Sequence, residues 1–201
     1  MATLAPLLLF VLIATISPGG ATTLATVSGA NFGFRRSLPL IGGIASGLAS
    51  MAALAALGLA SVLLAAPSLA LVMKAAGSAY LLWLAWQTAR RGSPHRAPDA
   101  RPIGFVAGVW MLWHNPKGWA MTLGAAASFA ELADGPVRLG ALLGAVFGLF
   151  ALLSLSLWCA AGLFLARAMR SDAQWRALNV ALGGLLALSV VPIWFEPTGG
   201  A

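Results

Sequence analysis

Two short stretches carry residue types that could do chemistry inside an otherwise apolar chain. Ser17-Pro18-Gly19 lies near the middle of a first run, and Asn115-Pro116-Lys117 near the middle of a fourth. Proline removes one backbone donor and blocks the carbonyl four residues earlier, and an adjacent Gly or Asn lets the chain turn away altogether. Lys117 adds an ammonium, which costs on the order of 3 kcal/mol near a bilayer centre on insertion scales. His114 abuts the second break and has a free pKa near neutrality. Trp110, Trp113 and Trp119 surround the same break, and their types fit packing or lipid contact as well as the wall of a pocket.

The elements that position these residues follow from composition. The 201 residues are 60% hydrophobic and 8% charged, with mean hydropathy +0.91, far from the roughly 25% charged usage of soluble domains. The apolar residues form long runs: an uncharged stretch from Met1 to Phe34 that begins with the apolar Leu4 to Ile16, then about Ser37 to Ala66, Ser68 to Ala89, Ile103 to Ala130, Leu139 to Ala166 and Ala177 to Phe195. Each approaches or exceeds the roughly 20 residues that cross a bilayer core as a helix. The first run is read as a retained helix, because no Lys or Arg precedes it as in a signal peptide. The expectation is an all-α, polytopic membrane protein of six transmembrane helices, with helices one and four broken at mid-membrane.

Charge distribution sets an orientation. The gaps after runs one, three and five hold Arg35, Arg36, Arg90, Arg91, Arg96, Arg101, Arg167, Arg170 and Arg176, and the opposite gaps hold Arg138 alone. The positive-inside rule makes the first side cytoplasmic and places both termini outside. Net charge is +7, but these arginines sit at helix ends, so they serve topology and anionic lipid head groups rather than nucleic acid. Trp83, Trp86 and Trp175 are expected as inner interfacial anchors and Trp194 as an outer one, while Lys74 is close enough to the outer end of its run to snorkel.

Three helices per half means that the halves cross in opposite directions. The matched breaks, together with Gly43-x-x-x-Gly47 against Gly140-x-x-x-Gly144-x-x-x-Gly148 at nearly the same offset, predict two inverted repeats. They comprise residues 1–91 and 103–201, joined by a polar, Pro-rich cytoplasmic loop at 92–102, in a single transporter domain. Those glycines are read as helix-packing positions. Paired breaks at membrane depth are the best sequence pointer to a carrier's substrate site.

No Asp or Glu falls inside a run, so an anionic group on the cargo can partner Lys117. A neutral, zwitterionic amino acid meets that need. Its carboxylate would face Lys117 and the N–H groups opening the half-helices, and its ammonium the carbonyls before the prolines. The candidate substrate site is therefore Ser17, Pro18, Gly19, Asn115, Pro116 and Lys117. His114 or Lys117 would carry the proton if transport is proton-coupled. No metal or cofactor is called for, and Cys159, the one cysteine, excludes paired-thiol chemistry. The sequence leaves a homo-oligomer open. Competing classes are a non-transporting membrane interaction protein and an intramembrane hydrolase built on Ser28 and His114.

With the breaks located, the chain resembles the lysine exporter (LysE) superfamily, in particular its homoserine/threonine exporter-like branch. Asn115-Pro116-Lys117, the pair Arg35-Arg36 and Ala79-Tyr80-Leu81 match that pattern, over essentially the whole chain; Gly20 stands where the pattern has a second proline. The resemblance implies efflux of an amino acid or derivative from a bacterium, across its inner membrane, driven by the proton motive force.

Overall fold

The structure is a computed structural model and describes residues 4–59, 67–90, 101–168, 170–188 and 190–191. All regular structure among these residues is helical: α1 (Ala5–Ile16), α2 (Gly20–Phe32), α3 (Phe34–Leu54), α4 (Pro67–Ala89), α5 (Phe105–Trp113), α6 (Pro116–Ser128), α7 (Pro136–Ala168) and α8 (Asp172–Leu188). A π-helical turn, Ala55–Leu59, follows α3, and a 3-10 turn, Ala130–Leu132, follows α6.

Both expected interruptions are present, and each follows from its proline. The residue before a proline is driven out of the α region. Ser17 is accordingly extended (ψ 138°) and ends α1, and Asn115 (ψ 109°) precedes α6. Across the first break α1 and α2 are bent by 56°. Pro116 opens α6 at its first turn, where its missing N–H costs nothing, and Asn115 caps that helix by accepting the Lys117 N–H at 3.0 Å.

Among the described residues, Phe34–Gly58 and Pro136–Ala168 are long and apolar enough to cross a membrane, and α1 with α2 makes a third span if the bent pair is one crossing. Some boundaries differ from the sequence expectation. The last helix begins at Asp172 rather than Ala177, because Ser171 and Gln174 exchange backbone bonds that start it among polar residues. The second run leaves α-geometry at Ala55, and Gly58 adopts φ 95°, a left-handed conformation open to glycine. Trp175, expected at the lipid interface, is instead buried, whereas Trp83 and Trp86 are about half exposed. Residues 60–66, most of the 92–102 loop, Trp194 and the end of the sixth run, and the side chains of Lys74, Tyr80 and Leu81 lie outside the described residues.

The core is formed where α3 and α7 lie side by side. Leu40, Ile44, Met51, Leu143 and Phe147 are fully buried there. α2 packs along α7, α5 along α3, and α4 pairs with α8. Two crossings are so close that only glycine fits. A Cβ on Gly29 or Gly162 would collide with the backbone of Cys159 or Thr26, and one on Gly43 with that of Phe105. Outward faces of α1, α4 and α7 carry Leu9, Ile13, Leu71, Leu153 and Phe164 in the open, the surface of a protein solvated by acyl chains.

Candidate functional site

The two breaks meet. Lys117, first turn of α6, donates from Nζ to Ser17 Oγ at 2.6 Å and more weakly to Ser17 O at 3.5 Å. Gly19 lies directly beside it, a Cβ built there falling 3.4 Å from Nζ. Ser17 in turn donates its N–H to Ile13 O. Around this contact is a cavity of about 40 Å³, walled by Ser17, Gly19, Gly20, Asn115, Lys117 and Gly118, with Ile44, Leu48, Ala151 and Leu155 from the two long helices. At roughly 30 Å³ per liquid water it has room for one or two waters.

The chemistry of this cavity is cationic. α2 points its N-terminal turn, Gly20 to Thr22, into the lining, and the first N–H groups of a helix have no partner within it and carry the positive end of its dipole. An ammonium beside them raises the local positive potential further. No Asp or Glu is among the lining residues. Such a place favours a carboxylate. Thr22 shapes the entry to α2, its hydroxyl accepting the Gly19 N–H at 2.8 Å and donating to Gly19 O at 3.0 Å.

Carbonyls released by the breaks are satisfied from elsewhere in the protein, which the sequence reading did not foresee. Ser154 on α7 donates to Thr15 O at 2.8 Å, and the Trp158 indole donates to Ile16 O at 3.1 Å. At the second break Trp119 Nε1 donates to Trp113 O at 2.8 Å and the Asn115 N–H to Leu112 O at 2.8 Å. Trp113 is anchored by an N–H bond to Ser50 Oγ at 3.2 Å. Unsatisfied groups cost several kcal/mol in hydrocarbon, and these side chains remove that cost while leaving the backbone broken. A cargo ammonium would therefore share these carbonyls rather than find them vacant.

His114 stands apart from the cavity lining. Its ring packs at a tilt against exposed Trp110, 4.0 Å between centroids, and Nδ1 lies 2.8 Å from Trp110 O. Ser28 and Ser37 hydroxyls bond each other at 2.7 Å, and Ser37 also donates to Gly33 O, which accounts for Ser28 without a histidine. No group of His, Cys, Asp and Glu suited to a metal occurs among the described residues.

The chain as a whole is similar to known proteins. The model for "LysE type translocator" matches residues 12–191. Over 190 residues, 92% of this chain and 94% of the relative, the sequence is 28% identical to the cysteine/O-acetylserine efflux protein of Escherichia coli (strain K12). The protein of that name from Klebsiella pneumoniae is 36% identical over 111 residues, which span 55% of this chain and 56% of the relative. Salmonella choleraesuis has a further one, 28% identical over 191 residues. No solved structure matches.

Proposed function

The chain belongs to the LysE type translocator family and is thus an integral membrane transporter, not an enzyme, and from that premise we propose that it exports a small, neutral amino acid or amino-acid derivative in exchange for protons. The observation that carries this reading is the Lys117–Ser17 contact, which brings an ammonium from one broken span onto the break of the other and sets both beside the open N-terminal turn of α2. A zwitterion offers the carboxylate that this site lacks. A second cationic group on the cargo would find no counter-charge in the lining, which argues against lysine or arginine. The relatives' names, cysteine and O-acetylserine efflux, point to cargo of that size and charge.

Ser17, Pro18, Gly19, Asn115, Pro116 and Lys117 are then the substrate site. Lys117 in that site, or His114 beside it in sequence, would carry the proton. Packing supports a six-crossing inverted repeat. The first run lies on the fifth as the fourth lies on the second, while the second pairs with the fifth and the third with the sixth. The proposed setting is a bacterial inner membrane with both termini outside.

Counterflow in liposomes, with a panel of amino acids and a pH-sensitive dye inside, tests the reading. Flux of a neutral amino acid with proton movement, abolished by Lys117→Met in folded protein, is expected. Flux unchanged by Lys117→Met, or efficient transport of lysine or arginine, would overturn it.

A further inference from the structure

A second, larger cavity of about 440 Å³ lies at the end of the molecule that bears the α6–α7 connection, lined by Ala55, Ala126, Ala130, Pro136 and Leu139 among other apolar residues. It is in line with the first. α3 contributes Leu48 to the central cavity and Ala55 to this one, α6 contributes Gly118 and Ala126, and α7 contributes Ala151 and Leu139. Leu48 and Ala55 are about 10 Å apart along the helix axis. Between the two cavities the same helices present a fully buried layer of Met51, Thr122, Leu143 and Phe147. Met51 is its movable member. Its methyl group lies 3.1 Å from where a Cβ on Gly118 would be, so the tip of the thioether rests on a residue that itself lines the central cavity. An unbranched thioether changes shape through three rotatable bonds, unlike the branched or ring side chains around it.

The geometry points to Met51 as the gate between the central site and an exit vestibule formed by the alanine-lined cavity. This inference rests on the carrier reading. The central cavity alone has room for one or two waters, so cargo must push back the side chains around it, and the Met51 tip, which packs behind the wall at Gly118, yields without unseating a helix. The vestibule suits release, because its lining has no charged or hydrogen-bonding side chain to hold a zwitterion, and a conduction path needs weak binding at its exit.

Thiol labelling of the protein in nanodiscs, where both faces meet the reagent, tests the gate without requiring flux. In a Cys159→Ser background, Ala126→Cys should react rapidly with a membrane-impermeant maleimide whatever occupies position 51. Met121→Cys, on the central cavity, should react slowly with Met51 present, equally slowly with Met51→Leu, and about tenfold faster with Met51→Ala, as truncation shifts the closed–open balance. Met51→Val is the fallback truncation if the alanine variant is not recovered folded. A Met121→Cys rate indifferent to truncation at position 51, or an unreactive Ala126→Cys, would overturn the gate. Labelling that follows Met51 in a protein that moves no amino acid would instead leave the gate standing and remove the carrier reading.

Discussion

Lys117 and Gly19 show how closely the site depends on single atoms. Gly19 has extended backbone (φ −176°) that any residue adopts, and a Cβ there meets only the Lys117 side chain, at 3.4 Å from Nζ. Gly19→Ala should therefore fold with an unchanged melting temperature, yet press on the ammonium. The expected outcome is a several-fold higher half-saturation concentration in counterflow with little loss of protein, and wild-type transport would show that Lys117 does not set affinity. The lysine and Ser17 were legible in the sequence, because a charge and a proline in an apolar run have no cheap alternative explanation. Ser154 and Trp158 were not. Their partners are backbone carbonyls 139 and 142 positions away, and a serine or tryptophan on a lipid-bathed helix has no pattern that announces such a bond.

At the scale of elements, the break between α1 and α2 persists because α7 holds the end of α1. Ser154→Ala leaves Thr15 O in the core without that donor, a loss of about 1–3 kcal/mol for a buried group. A lower melting temperature in detergent is expected, and Trp158→Phe, which strips the donor from Ile16 O, should lower it as well. Glycine substitutions separate packing from propensity. Gly29→Ala drives a Cβ into the Cys159 carbonyl, while Gly184→Ala meets nothing within 4 Å. The first should abolish recovery of monodisperse protein on size-exclusion chromatography, and the second should leave it intact or slightly more stable, since alanine favours a helix interior by about 1 kcal/mol. The sequence pointed to Gly43, Gly47, Gly140, Gly144 and Gly148 by their spacing, and these do face neighbouring helices. It passed over Gly29 and Gly162, because spacing within one helix does not say where another helix crosses it.

For the whole molecule, the all-helical class was legible from hydropathy, but the break in the second run was not, because Ala55 to Leu59 is as apolar as what precedes it. The proposed orientation rests on the distribution of cations. Exposed Arg35 and Arg36 lie in the first turn of α3 and exposed Arg101 just before α5, whose first residue, Phe105, meets α3 at Gly43. Exposed Arg167 ends α7 beyond Gly162, where that helix crosses α2 a turn and a half before Phe32. These positions converge on one end of the bundle. The other end has the α6–α7 connection, where exposed Arg138 lies 3.3 Å from exposed Asp134. A cytoplasmic face at the arginine-rich end is the orientation we propose. Alkaline phosphatase fused after Asp134 should be active and green fluorescent protein there dark, and fusions after Arg170 should give the reverse; the opposite pattern would turn the molecule over in the membrane and make the alanine-lined cavity an entrance from the cytoplasm.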